Sequence, residues 1–566
     1  MSVAIGETQA SFCATLVDEL ARAGVERAVV CPGSRSTPLS LAFLASNIDV
    51  TVRLDERSAA FIAVGMARAS CRPVPVVVTS GTAAAELFAA VCEADLDGVP
   101  LLVITADRPP ELHGIGAPQT IDQAGLFTGH VRAQHDPGPV HALPIDAWRS
   151  IASRIVADSQ GTVPGPVHLN VSLSDPLVAQ PAPLPPGRPG GAPWTQRIAP
   201  TTPQGPRTVR LEGQRGVIVA GAGCGQPDKV RDASLRLGWP ILADPRSGLR
   251  SDGRGVIMAP DLILRDEAVA RLLTPDSVLL AGAPHASKLL TDWLSAIDAD
   301  VVSLGGWGPA RHPTRRAARF LEGTPSLWWE ALDAPTAEAG WVERWFAADA
   351  AVATVLDHEL AQNWTEPSVA RRVAKFGTRL DGGVLVSSSS MPIRDLEWFG
   401  GSLEGWGPVV ANRGANGIDG VTSTAIGAAI ASRRPTVALI GDLAFLHDVS
   451  SLVEQLPAGI SMTAVVVDNG GGGIFSFLPQ ATLVDSDAFE EAFGTPRPVD
   501  LVALATAMGH HGEEVRGLDE LDAALERGTS RDGISVVRCV MDTRASNVEV
   551  HERLVDATSA SLQFLL

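Results

Sequence analysis

Short, β-rich apolar runs punctuate this chain in three separate sets, and that spacing restricts the fold more than any other feature. In the first third the runs are 28–31, 50–54, 74–79, 101–105 and 167–171. In the middle third they are 216–220, 241–243, 256–258, 278–281 and 301–304, and in the last third 384–386, 409–410, 436–440, 463–467 and 534–540. Most of these runs are nearly continuous in Val, Ile, Leu and Ala, and helix-length stretches separate them. Strands of that kind belong to parallel sheets covered on both faces. The expected fold is therefore α/β, with three doubly wound parallel-sheet domains. A length of 566 residues agrees, since one core does not grow that large.

The clearest boundary is 176–206, where ten prolines and several glycines leave no periodicity. It reads as a stiff, extended linker. A second boundary is placed in the Ala/Glu/Trp-rich helical stretch near 335–355. The resulting division is 1–180, a linker at 181–206, then 207–345 and 346–566.

The net charge of −19 argues against nucleic acid as a partner. No apolar run reaches the roughly 18–20 residues a membrane span needs. The N-terminal residues lack a basic region followed by an apolar one, so a cytoplasmic location is expected. Cys13, Cys31, Cys71, Cys92, Cys224 and Cys539 show no metal-ligand spacing and no disulfide framework. The chain has no tyrosine, which removes one common general acid.

Two polar segments follow neighbouring strands of the last set. Gly441-Asp442-Leu443 follows 436–440, and Asp468-Asn469-Gly470 follows 463–467, with room for one crossover helix between them. A right-handed βαβ unit sets Asp442 and Asn469 at the carboxyl ends of adjacent parallel strands. Two oxygen ligands on one crevice edge suit Mg²⁺, which fills its octahedron with phosphate and water. The glycines from 470 to 473 allow a diphosphate to approach the backbone closely.

Other turns carry weaker signals. Cys31-Pro-Gly-Ser34-Arg35 exposes N–H groups and an arginine at a ligand edge, or is an ordinary βα turn. Glu56 is either a general base or a helix N-terminal charge, and Asp55 reads as structural. Ser80-Gly-Thr82 suits close ligand approach or helix capping. Arg108 and Gln119 lie beyond the fourth strand. Gly221-Ala-Gly223-Cys-Gly225 misses dinucleotide spacing and reads as a turn in a scaffold domain. Ser387 to Ser390 and Arg394 can hold phosphate or carboxylate. Arg413 and Ile418 lie in a Gly-rich loop at 412–420. His447 receives no role.

Gly-Asp, a crossover-length gap and Asn-Gly-Gly together resemble the metal-diphosphate motif of thiamine-diphosphate (ThDP) enzymes. A glutamate after the second strand completes that family's pattern. The resemblance covers essentially the whole chain, as pyrimidine-binding, central Rossmann-like and diphosphate-binding domains in order. The strings CPGSRSTPL, LDERSAAF, TSGTAAAEL, TADRPPEL, NRGANGIDG, GDLAFLHD and NGGGGIF resemble, more narrowly, the 2-succinyl-5-enolpyruvyl-6-hydroxy-3-cyclohexene-1-carboxylate (SEPHCHC) synthases of menaquinone biosynthesis.

That resemblance implies roles. Glu56 would hydrogen-bond the aminopyrimidine and favour its imino tautomer. Ile418 would prop the cofactor in its bent form. Ser80, Thr82, Ser389, Gly441, Leu443, Gly472 and Ile474 would line the cofactor, and Asp442, Asn469 and a carbonyl near Gly471 would hold Mg²⁺ or Mn²⁺. The implied substrates are 2-oxoglutarate, which loses CO₂, and isochorismate, which accepts the succinyl-semialdehyde carbanion in a 1,4-addition. Both are dicarboxylates, and Arg35, Arg108, Lys288, Arg394 and Arg413 match cationic positions of the family. Ser34, Gln119 and Ser390 would add neutral hydrogen bonds, and Ile474, Phe475 and Leu478 an apolar wall. Among these, Arg35, Gln119, Ser390, Arg394 and Arg413 are expected to work with Glu56 at the reacting centre. Family members pair domains from two subunits over each cofactor, which implies a homodimer or homotetramer. One departure is Asp468, where many relatives have Asn; it adds charge beside the metal.

Two rivals remain within the cofactor class. An acetohydroxyacid synthase would be expected to carry an FAD pattern in the middle domain, which is missing. Simple 2-oxoacid decarboxylases often place a His pair at the site, but His510-His511 falls late in the third domain. A non-catalytic sensor of the same fold is opposed by the presence of both Glu56 and Asp442.

Overall fold

The computed structural model describes residues 2–196, 208–251, 255–305 and 312–566. The chain forms two compact units. The first comprises Met1–Thr201, Asn412–Arg433 and His447–Ile460; the second comprises Thr202–Ala411, Arg434–Leu446 and Ser461–Leu566.

The first unit is built on six parallel strands: β1 (Arg27–Val30), β2 (Asp49–Val52), β3 (Val74–Val78), β4 (Leu101–Asp107), β5 (Ala133–His135) and β6 (Val167–Ser172). Their order is β2-β1-β3-β4-β6-β5. Every residue of β3, β4 and β6 is buried; β3 lacks polar alternation for that reason, while β6 alternates and its buried His168 and Asn170 are hydrogen-bonded to Thr105. Helix Glu56–Ser70 packs against helix Val421–Ser432 at backbone distance. A Cβ on Gly65 would fall 2.1 Å from the Thr424 carbonyl oxygen, and one on Gly427 would fall 2.0 Å from that of Ile62. These two glycines bring the helices together, so 412–433 joins the first unit although it lies late in the sequence.

The proline-rich segment is fastened to this unit as far as residue 196. The Pro185 carbonyl accepts from Arg149 Nε at 3.1 Å and Nη2 at 2.7 Å, and the Trp194 N–H donates to Glu19. The rest of the expected linker, 197–206, lies outside the described residues.

The second unit holds two six-stranded sheets. One contains β7 (Gly216–Ala220), β8 (Ile241–Ala243), β9 (Val256–Ile257), β10 (Ser277–Ala281), β11 (Asp300–Leu304) and β12 (Arg319–Leu321), in the order β9-β8-β7-β10-β11-β12. The other contains β13 (Gly383–Ser387), β14 (Trp406–Ala411), β15 (Thr436–Gly441), β16 (Ser461–Asp468), β17 (His511–Val515) and β18 (Gly533–Val540), in the order β14-β13-β15-β16-β18-β17. This last sheet repeats the order of the first. In both, the direction of winding reverses between the first and third strands, and the crevice beyond that reversal is where open parallel sheets place ligands.

The expected boundary at 345/346 falls inside a continuous helix, Trp341–Glu359. Its Trp341, Trp345, Val352 and Leu356 join one apolar cluster with Leu262, Leu273 and Leu290. Burial of the Val and Leu side chains contributes about 1.5–3 kcal/mol each. The Trp341 indole N–H also donates to the Gly216 carbonyl at 2.8 Å. This helix therefore packs with the middle sheet. Among the described residues, no helix is long and apolar enough to cross a membrane.

Candidate active site

In the first unit, four adjacent strands end on one edge, and each delivers a candidate residue. After β2 the chain is pinned by Glu454, which accepts from the Leu54 N–H at 2.8 Å and pairs with Arg53 at 3.3 Å. Asp55 then caps helix Glu56–Ser70 by accepting from the Ser58 N–H at 2.9 Å. Glu56 is the first helical residue. Burial raises its carboxyl above the ordinary range, and Asp55 and Glu86 add to the effect while its backbone contact opposes it. A carboxyl shifted this way is better matched to proton exchange near neutral pH.

After β1, Gly33 lies so close to Thr79 that a Cβ would fall 2.3 Å from that side chain. The close approach seats Ser34, which is exposed, and Arg35, which is buried. Arg35 donates to the Leu173 carbonyl at 2.9 Å and lies 3.7 Å from Asp175. Burial lowers its pKa, and the neighbouring Arg108 guanidinium lowers it further. The Nε atoms of Arg35 and Arg108 are both buried without a protein partner. Two adjacent guanidiniums with unused donors form a fitting receptor for a carboxylate.

After β3, the Ser80 hydroxyl is buried and unpartnered, and Thr82 is exposed. Gly81 between them has φ +85°, and its Cβ would lie 3.3 Å from the Gln119 backbone, itself at φ +52°. Gln119 has an exposed side chain. The loop holding Arg413 and Ile418 is fixed by Glu93, which accepts from the Gly414 and Ala415 N–H groups at 2.9 and 2.7 Å. Burial works against the Glu93 carboxylate, but Arg68 and these amides hold it below the ordinary range. Ile418 is 37% exposed on this fixed loop.

In the second unit, β13, β15 and β16 are neighbours and end beside one another. Asp442, 7% exposed, follows β15 and accepts from the Leu443 N–H at 2.8 Å. Burial pushes its carboxyl up to about 7; Asp468 adds to this, and the Leu443 and Gly471 amides oppose it. Asn469 follows β16. Its Nδ2 donates to Glu366 Oε1 at 2.8 Å, and its Oδ1 is buried without a protein partner. A buried carboxylate and an orphaned amide oxygen are the donors a hard divalent cation takes. The residues present fit a Mg²⁺ or Mn²⁺ ion.

The glycines separate into two kinds. A Cβ on Gly471, which has φ +136°, would lie 2.0 Å from the Gly494 carbonyl, and one on Gly472 would lie 2.2 Å from that of Phe493. These two are needed by the protein's own packing. Gly441 and Gly470 have nothing within 4 Å of the Cβ position, so the space beside them is open to a ligand. Ile474 and Phe475 follow on the short turn Gly473–Phe477, with the Phe475 and Phe493 rings 5.5 Å apart, and Leu478 is 40% exposed.

Ser389 is buried after β13, and Ser390 adopts φ +72°, ψ −134° as helix Met391–Phe399 begins. A non-glycine residue in that region is strained and must be held by its surroundings. Its carbonyl accepts from Arg394 Nη1 at 2.6 Å. Burial lowers the pKa of Arg394, with Glu397, Asp395 and Asp261 opposing. Lys288 lies differently: its side chain is 86% exposed and pairs with Asp292 one turn along its helix. Among the described residues, no interaction links it to the other candidates. Asp468 pairs with Arg538 at 2.6 Å, which offsets the extra charge beside Asn469.

Several residues that support the site carry no motif. Asp448 and Ser423 anchor the start of the Glu56 helix through Ser58, and Glu366, Asp395 and His551 lie behind Asn469. Only the helix start Thr365-Glu366-Pro367 could have been read in advance, as an N-cap followed by proline.

Two parallel sheets of one strand order, a helix-starting glutamate and an Asp/Asn oxygen pair beside open glycines define a ThDP enzyme. Family models agree. The thiamine pyrophosphate enzyme N-terminal TPP binding domain matches residues 11–126, the middle domain 190–381, and the C-terminal TPP binding domain 411–539. The chain is 38% identical to the 2-succinyl-5-enolpyruvyl-6-hydroxy-3-cyclohexene-1-carboxylate synthase of Bacillus velezensis, covering 96% of this chain and 97% of that one. It is 39% identical to the synthase of the same name from Geobacillus thermodenitrificans, covering 97% and 96%, and 39% identical to that of Myxococcus xanthus, covering 97% of each. The chain belongs to this family of SEPHCHC synthases.

Proposed function

We propose that the protein decarboxylates 2-oxoglutarate and adds the resulting succinyl-semialdehyde carbanion equivalent to isochorismate, giving 2-succinyl-5-enolpyruvyl-6-hydroxy-3-cyclohexene-1-carboxylate for menaquinone biosynthesis. The observation that carries the cofactor assignment is the unpartnered Asn469 Oδ1 beside the buried Asp442 carboxylate. The names of the relatives supply the product.

When bound, ThDP supplies an acidic ring carbon and an electron sink for the departing carboxyl group. Asp442 and Asn469 would hold Mg²⁺ or Mn²⁺, with the backbone near Gly471, and the open space beside Gly441 and Gly470 would take the diphosphate. Glu56 would hydrogen-bond the aminopyrimidine ring, and its raised pKa suits holding a proton at its carboxyl near neutral pH. Ile418, exposed on its fixed loop, would pack against the cofactor. Arg35, Arg108, Arg394 and Arg413 receive substrate carboxylates, while Phe475 and its neighbours keep water away. The working form is a homodimer or homotetramer in the cytoplasm.

The test is release of CO₂ from 2-oxoglutarate by the full chain with ThDP and Mg²⁺. Release that stops on chelation of the metal and returns with Mg²⁺ supports the reading. No release in the presence of all three would sink it.

A further inference from the structure

Glu366 begins helix Glu366–Phe376, where Thr365 caps by accepting from the Ser368 N–H and Pro367 occupies the next position. This start buries the Glu366 side chain, which is 5% exposed. Its Oε1 faces the Asn469 amide at 2.8 Å. In that contact Oε1 accepts, so it pairs with the NH₂ end of the amide. With Nδ2 fixed, Oδ1 has one direction left, and there it is buried with no protein partner.

Glu366 is itself held in a polar network. His551 donates from Nε2 to Asp395 at 2.9 Å and from Nδ1 to the Asn547 carbonyl at 2.8 Å. Both ring nitrogens face oxygen atoms; burial opposes the charged ring, but Asp395 and the Asn547 carbonyl hold its pKa above the ordinary range. The rings of Trp398, Phe399 and Phe477 stand edge-on around it, and burial, with Asp395, pushes the Glu366 carboxyl up to about 8 against the pull of Asn469 and His551. An amide that turned over would lose the Nδ2–Glu366 bond and present its NH₂ to the cation.

We infer that Glu366 is a positioning residue that fixes the Asn469 amide so that Oδ1 serves as the metal ligand. This rests on the reading of Asp442 and Asn469 as a metal-diphosphate site. Partners behind a ligand that set its orientation typically change metal affinity about 10–100-fold when altered.

The test measures ThDP binding to the full-length apo-protein at fixed Mg²⁺ by calorimetry, and Mn²⁺ binding by the free-ion electron paramagnetic resonance signal. Glu366→Met removes the acceptor and is expected to weaken both about 10–100-fold. Glu366→Gln is expected to fall between, because its amide accepts from Asn469 in only one of two orientations. Asn469→Asp should weaken binding in the wild-type background, where two carboxylates would meet. In the Glu366→Met background it should recover most of the loss, because a carboxylate has two equivalent oxygens and needs no orienting. A structural role for Glu366 alone would not be rescued in this way.

Wild-type affinity in Glu366→Met, or no rescue by Asn469→Asp, would overturn the inference. If Glu366→Met does not fold, the same comparison is made with Glu366→Gln. A wild-type chain that bound neither ThDP nor Mn²⁺ would instead remove the metal reading itself.

Discussion

Ser423 donates both its backbone N–H and its hydroxyl to the buried carboxylate of Asp448, at 2.6 and 2.9 Å. The same hydroxyl lies 2.9 Å from that of Ser58, two residues beyond Glu56. Arg57 donates to the His447 carbonyl at 3.0 Å. The first turn of the Glu56 helix is therefore tied to the residues around 447. Burial pushes the Asp448 carboxyl up to about 7, against the pull of Ser423 and Arg57. A carboxyl raised in the folded state costs stability as pH climbs from about 4 to about 7, by up to about 1.4 kcal/mol per pH unit. Asp448→Asn does not titrate. The stability of the wild type relative to Asp448→Asn should fall across that window and level off above it, as read by denaturant unfolding. A gap that stays constant with pH would show that Asp448 ionises normally.

Glu56→Gln keeps the shape of the first helical turn and removes the titrating group. ThDP affinity should change little, while turnover should drop about 10²–10⁴-fold. Calorimetry and CO₂ release check the two halves separately. A near-wild-type rate would contradict the proton-holding role.

Arg394 is half-buried and fixed to the Ser390 carbonyl, so its other donors are oriented before substrate arrives. Arg394→Ala should raise the KM for a dicarboxylate substrate at least about tenfold, consistent with a charge-assisted bond of about 1.5–3 kcal/mol, and leave ThDP affinity nearly unchanged. Arg394→Lys should recover only part of the loss, since an ammonium lacks the planar fork. Equal weakening of substrate and cofactor would make the residue scaffold.

The two kinds of glycine predict opposite outcomes. Gly471→Ala should destabilise the loop itself, because its Cβ would meet the Gly494 carbonyl. Gly441→Ala has open space and no left-handed backbone, so the apo-protein should unfold at the wild-type midpoint. ThDP should nevertheless bind it more weakly, because the added methyl occupies the ligand's space. Thermal unfolding with and without ThDP and Mg²⁺ separates the two. A cofactor-induced shift in Gly441→Ala equal to that of the wild type would contradict the placement of the diphosphate.

Much of the fold was legible because strands buried on both faces often write themselves as unbroken apolar runs, as 74–78 and 101–104 do. The strands that escaped reading are edges. Ala133–His135 and Arg319–Leu321 have no fully buried residue, and His511–Val515 has one, so no continuous run marks them. Asp442, Asn469 and Glu56 were legible because each follows an apolar run directly. Glu366, Asp448 and Ser423 were not, because their importance arises from partners far away in sequence. The helix at 341–359 is hard to read for a related reason: its five core residues look merely Ala/Glu/Trp-rich until the elements they cover are known.

The central claim is most directly tested by the stoichiometry of the complete reaction. With ThDP, Mg²⁺, 2-oxoglutarate and isochorismate, CO₂ release and isochorismate loss should rise together, one for one, with a product mass equal to isochorismate plus succinic semialdehyde. CO₂ release that continues while isochorismate remains unconsumed would contradict the account and leave a simple decarboxylase.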